Sequence, residues 1–165
     1  MPADDLQQQL VKYLEDVHST EQNAISQLRD GADSADDQEL AAVLRRHLAE
    51  TEEHERLISE RLRAYDASPS SLKDTAQKGA AKLTGMVSKA APDTSGKLAI
   101  QAYAFEHLEI ASYRMLREVA RRAGDEQTVT VAERILTEEQ EAARKIGSLL
   151  EQVAESDLDR QGVGA

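Results

Sequence analysis

Each of four long helices carries a glutamate where leucine or alanine is expected: Glu21, Glu50, Glu106 and Glu139. At 100° per residue along a helix, Leu98, Ala99, Ala102, Phe105, Ile110, Tyr113, Leu116 and Ala120 share one broad face, and Glu106 and Glu109 fall inside it. Glu21 interrupts the stripe Leu14, Val17, Ala24, Ile25 and Leu28, and Glu139 interrupts Ile135, Leu136, Ala142, Ala143 and Ile146. Glu50 lies with His47 and His54 on or beside the stripe Leu40, Val43, Leu44, Thr51, Leu57 and Ile58. An ionised carboxylate is costly to bury unless it is paired or coordinated. Four that converge repel one another, and the remedy is basic partners or cations. Arg117 is the only clear basic residue on these stripes, so cations are the simpler remedy. Carboxylates and imidazoles projecting from facing helices are how dinuclear iron and manganese sites are built. His54 follows Glu50 by four residues and Glu109 follows Glu106 by three, so each pair can reach one metal from adjacent turns. The expected ligands are Glu21, Glu50, His54, Glu106, Glu109 and Glu139. His18 and His47 are expected as packed, hydrogen-bonded neighbours, and Tyr103 and Tyr113 as core residues able to bond a ligand carboxylate.

The elements that must position these residues are long helices. Asp4 or Asp5 can cap a first helix that runs to about Asp30, with Gly31 as its stop. Ser34-Ala-Asp-Asp restarts a second, to about Tyr65. The short link makes the two an antiparallel pair. A third spans about Thr94–Ala123 and ends at Gly124; a fourth runs from about Asp125 to Glu155. Between the halves, residues 66–97 hold Pro69, Pro92 and five lysines, and Leu72, Ala76, Leu83 and Val87 give one weakly amphipathic stretch. This is a crossover long enough to run the length of the bundle, with its lysines on a solvated face. The fold class is all-α: a four-helix bundle over residues 1–155 with a crossover at 66–97, then a flexible tail at 156–165.

Bulk composition narrows the function classes. Lys and Arg total 20 against 31 Asp and Glu, a net charge of −11, which argues against nucleic-acid binding and for a cation binder. Without cysteine there is neither disulfide nor thiolate chemistry. No 18-residue apolar run offers a membrane span. The start, MPADDLQQQ, is acidic and polar rather than leader-like. Cytoplasm is the expected location.

Four stretches carry a resemblance: Tyr13–Ile25 (YLEDVHSTEQNAI), His47–Leu57 (HLAETEEHERL), Glu106–Tyr113 (EHLEIASY) and Thr137–Ile146 (TEEQEAARKI). They are similar to the signature stretches of the YciE/YciF family, a stress-associated bacterial group in the ferritin-like superfamily. The resemblance implies a ferritin-like four-helix bundle, often a homodimer, with a carboxylate-bridged dimetal centre, and the six expected ligands fall on matching positions. Two departures stand out. The second helix has Glu50-x-x-x-His54 instead of the superfamily's Glu-x-x-His, and Ala142 and Ala143 follow Glu139 where a histidine is usual. Glu109 can supply the missing ligand. Five glutamates and one histidine make a hard, oxygen-rich set that suits iron or manganese over zinc or copper.

Two functions follow from this reading. One is a dimetal protein that oxidises iron(II) or reduces dioxygen or peroxide in stressed cells. The other is a non-enzymatic stress scaffold, a dimeric bundle with a vestigial metal site.

Overall fold

The computed structural model describes residues 3–67 and 93–163. They form four helices: α1 (Ala3–Ser34), α2 (Gln38–Arg63), α3 (Ser95–Ala123) and α4 (Glu126–Arg160). Each is about 40–50 Å long at 1.5 Å per residue. Three helix starts are capped by side chains the sequence supplies. Asp37 accepts from the Leu40 amide, Thr94 from Lys97 and Asp125 from Thr128, satisfying donors that the first helical turn leaves free. Gly124, at φ 75°, closes α3 in the left-handed conformation that glycine adopts without strain.

Hydrogen bonds between helix ends fix the topology. Ser95 Oγ accepts from the Asp36 and Asp37 amides, so α3 begins beside the α1–α2 turn. Arg61 donates to Asp125 and Thr128, so α2 ends where α4 begins. The Gly96 amide donates to Asp157, which brings the end of α4 back to the start of α3. The helices are therefore antiparallel around the bundle in the order α1, α2, α4, α3. Ala67 and Asp93 lie at opposite ends of it. The expected amphipathic stretch from Leu72 to Val87 lies outside the described residues.

Two boundaries differ from the sequence reading. α1 does not stop at Gly31. A Cβ there would sit 3.0 Å from Leu98 Cδ1 and 3.4 Å from Leu44 Cδ1, so Gly31 serves close helix approach, not termination. α4 continues past Glu155 to Arg160. Asp157 bonds Gly96 and Arg160 bonds Asp36, and these contacts hold helical a segment expected to be tail.

The interior has two apolar clusters. One gathers Leu10, Leu14, Ile58, Leu62, Leu116 and Ile135. The other gathers Leu28, Leu40, Leu44, Phe105, Ile146 and Val153. Between them, in sequence and in space, lies a buried polar band.

Candidate metal centre

Glu21 from α1, His47 and His54 from α2, Glu106 and Glu109 from α3, and Glu139 from α4 are all at most 1% exposed. They form two groups that share Glu139. His47, Glu106, Glu109 and Glu139 make one, and Glu21, His54 and Glu139 the other, with the facing atoms of each group within 4.8 Å of one another. In the first, His47 Nε2 lies 2.9 Å from Glu106 Oε2 and 3.4 Å from Glu139 Oε2. In the second, His54 Nδ1 lies 2.9 Å from Glu139 Oε1 and 3.8 Å from Glu21 Oε2. The imidazole ring centroids are 6.4 Å apart.

The outward nitrogen of each imidazole is held by a carboxylate. His47 Nδ1 donates to Glu50 Oε2 at 3.1 Å, and His54 Nε2 donates to Glu138 Oε2 at 2.6 Å. Such a bond fixes the ring and turns its other nitrogen inward. Tyr113 likewise donates to Glu21 Oε1. It orients that carboxylate and leaves Oε2 facing the centre.

The inward atoms approach one another as ion pairs at best, without hydrogen-bond geometry. Among the described residues, eight atoms of this band are buried without a hydrogen-bond partner: Glu21 Oε2, His47 Nε2, His54 Nδ1, Glu106 Oε2, both Glu109 oxygens and both Glu139 oxygens. Folded proteins leave few such groups, and seldom gathered in one place. Eight aimed at a common space fit a cation-binding centre.

Electrostatics carries the same signature. Burial pushes Glu21 up to about 8 despite the opposing pull of His54, and pushes Glu106 up to about 7 against His47. Glu109 rises well above the carboxylate range, through burial first and then through Glu139 and Glu21. Glu139 behaves oppositely. Burial raises it, but attraction to the His47 and His54 imidazoles outweighs that and holds it at about 2. Burial lowers His47, but Glu106 and Glu139 outweigh it and raise it to about 11. Without a cation, the band shares too few protons among too many acids.

A family model described as a domain of unknown function, DUF892, matches residues 5–159. The chain belongs to this family. Among solved structures, it is similar to a protein from Xanthomonas campestris pv. campestris, with 27% identity over 96% of this chain and 99% of that one, TM-score 0.79. The Escherichia coli stress protein YciF superposes with TM-score 0.69 at 19% identity, covering 90% and 96% of the two chains. Ferritin-like, diiron-carboxylate protein from Bacillus anthracis does so with TM-score 0.72 at 15% identity, covering 87% and 96%. This DUF892 chain thus shares the four-helix fold of these ferritin-like proteins, and its buried His/Glu cluster is a candidate metal centre.

The structure brings together five of the six residues expected as ligands. Glu50 is the exception. Its side chain is 33% exposed and stands outside the centre, bonded to His47 and 3.6 Å from Arg46. His47, expected as a packed neighbour, takes the inward position. His47 and His54 are seven residues apart and so face the same way, but Glu50 lies only about 60° from His47 around the axis, so spacing did not choose between them. Glu138 was missed, and its bond to His54 has no counterpart in spacing because the partners belong to different helices. His18 is buried but belongs to a separate cluster, bonded to Glu55 at 2.8 Å and Ser59 at 3.1 Å. Tyr103 is a correction. It is 36% exposed on the outer α3–α4 face, over Gly147 and beside His107, and bonds no carboxylate of the band. Tyr113 is the tyrosine that reaches one.

Proposed function

We propose that this protein binds two divalent metal ions, iron or manganese, on Glu21, His47, His54, Glu106, Glu109 and Glu139. The eight unpartnered buried atoms carry the reading. Four carboxylates and two imidazoles match the number and type of donors used by dinuclear sites in helical bundles. Here they are distributed differently, with both imidazoles on α2 and two carboxylates on α3. Four carboxylate charges balance two divalent cations, so binding removes the repulsion that burial creates. The oxygen-rich set favours hard cations. Glu139 belongs to both groups and is the bridging candidate.

Bound iron or manganese supplies a one-electron redox couple, the requirement for oxidising iron(II) or reducing dioxygen or peroxide. The chain supplies the rest. Glu50 and Glu138 hold the imidazoles in the ligating tautomer, Tyr113 holds Glu21, and the flanking apolar clusters exclude water. The inward imidazole and carboxylate protons leave when the metal enters. A stress-protective role and a homodimer belong to the same reading.

The test is metal analysis with calorimetric titration. One to two iron or manganese per chain are expected in the wild type. Glu139→Ala should abolish both, since each group loses a member. Full stoichiometry retained in Glu139→Ala overturns the proposal. A scaffold reading draws on the contacts of His47 and His54 with Glu139, which can hold the helices together without metal. It requires a melting temperature that neither metal nor chelator moves.

A further inference from the structure

We propose that the outward face of α3 is a two-fold contact, on which a second copy of this chain lays its own α3 antiparallel. This rests on the homodimer reading above and deepens it by naming the face. Among the described residues, the exposed large apolar side chains include Ile100, Tyr103 and Met115 of α3 and none of α1 or α2. Ile100 is 62% exposed and Met115 53%, and Ala104, His107 and Ala111 between them are exposed too. Together with Lys97, Glu118 and Arg122 they recur every three or four residues and fall within an arc of about 80° at 100° per residue. Such spacing makes a straight seam for a second helix. The two alanines at its middle let the helix axes come close.

The order of residues along the seam identifies the occupant. Across a two-fold axis, if one residue meets a second, the second also meets the first. With the axis beside His107, Ile100 of one copy faces Met115 of the other, and Ala104 faces Ala111. The same register sets Lys97 opposite Glu118, and Asp93, just ahead of the helix, opposite Arg122. The seam is apolar in the middle and charged at both ends, and each end carries the sign that the opposite end needs. All four charged residues are exposed. Lys97 pairs with Asp93 and Glu118 with Arg121 along the chain, so docking joins two small ion pairs at each end. Sliding one copy by a helical turn loses this. In one direction Lys97 meets Arg114 and Asp93 meets Glu118; in the other, Lys97 meets Arg122. Like charges so placed exclude the wrong registers, while the apolar middle supplies the attraction. A stripe that complements itself under a two-fold, in one register only, fits a second copy of this chain.

The chain holds no cysteine, so introduced thiols read the register directly. The double variant Ala104→Cys/Ala111→Cys should oxidise to a disulfide-linked dimer. Within one chain these positions are about 10 Å apart along the helix, beyond the reach of a disulfide. Each single variant faces only an alanine of its copy and should stay uncrosslinked alone, yet the two should cross-link when mixed. In sedimentation velocity the wild type should be a dimer at tens of micromolar. Ala104→Glu, at an exposed position, should weaken that dimer at least about 100-fold with far-UV circular dichroism unchanged. Lys97→Glu should weaken it about tenfold, and adding Glu118→Lys should recover most of the loss. A monomeric wild type, including one whose stripe is covered by a different protein, overturns both this face and the homodimer reading. A dimer indifferent to Ala104→Glu, a double thiol variant that does not cross-link, single variants that cross-link as readily as the double, or no recovery on charge exchange overturns the face alone. None of the varied residues belongs to the candidate metal centre, so metal stoichiometry stands or falls separately.

Discussion

The polar band and the apolar clusters beside it are built from the same four helices at the same depth, yet they are held by opposite means. In the clusters, Leu10, Leu14, Leu40, Leu62 and Leu116 are fully buried and need only close contact. In the band, Glu21, Glu109, Glu139 and His54 are as fully buried, and contact alone leaves their inward atoms without partners. One region is complete as the chain folds. The other, in the proposed reading, is completed by metal ions. The difference shows how a bundle can keep a destabilised centre: the surrounding leucines over-determine the fold, and the acids use part of that surplus.

The comparison can be broken or sharpened in four ways, from the largest effect downward. The largest response of metal-free protein is to pH, which moves the whole band at once. Glu21 and Glu106 have folded values of about 8 and about 7, above their ordinary 4.5, and Glu109 is also raised well above it. The folded state therefore holds protons that the unfolded state has released, and stability falls as pH rises from about 5 to 8. His47, raised from 6.5 to about 11, adds a loss of the same sign above its unfolded value. Glu139, held at about 2, works the other way and costs stability only as pH falls through the window from 4.5 towards 2. Melting temperature with chelator present should thus peak near pH 5. With metal bound, the loss above pH 5 should vanish. A flat profile in chelator contradicts the contrast between band and clusters.

Next is Leu116→Ala. It should destabilise the fold by about 2–5 kcal/mol, the range for a buried leucine truncated in a packed core, without changing metal stoichiometry; urea unfolding and metal analysis check both. Glu109→Leu should do the reverse. Replacing an unpartnered buried acid by an apolar side chain of similar size should stabilise metal-free protein by about 1–4 kcal/mol while removing at least one metal per chain. A destabilised Glu109→Leu variant would mean that this carboxylate is satisfied in the folded state. The smallest effect on the fold is that of Glu50→Gln, whose side chain reaches solvent. It should leave unfolding unchanged within about 0.5 kcal/mol yet weaken metal binding about 10–100-fold, because it loosens the hold on His47. Titration calorimetry reads that loss.

Much of the fold was legible because helices are governed by local rules. Caps at Asp37, Thr94 and Asp125 and the stop at Gly124 act within one turn, and all four stood at or beside the expected ends. Gly31 misled because its reason lies on another helix: Leu98 needs the space that a side chain would take. The end of α4 misled likewise, since Asp157 and Arg160 are held by Gly96 and Asp36, far away in the chain.

By itself the sequence determined that acids from the first, third and fourth helices meet at mid-bundle beside a histidine of the second, because a period of 3.6 residues assigns each side chain to a face. Tertiary structure alone decided which of two neighbours on α2 turns inward. His47 and Glu50 are three residues apart and so differ by only about 60° around the axis, and the choice rests on how α2 lies against α3 and α4. It also decided that Glu139 serves both groups and that Glu138 holds His54, for both are contacts between helices, and no periodicity within one helix encodes the position of another.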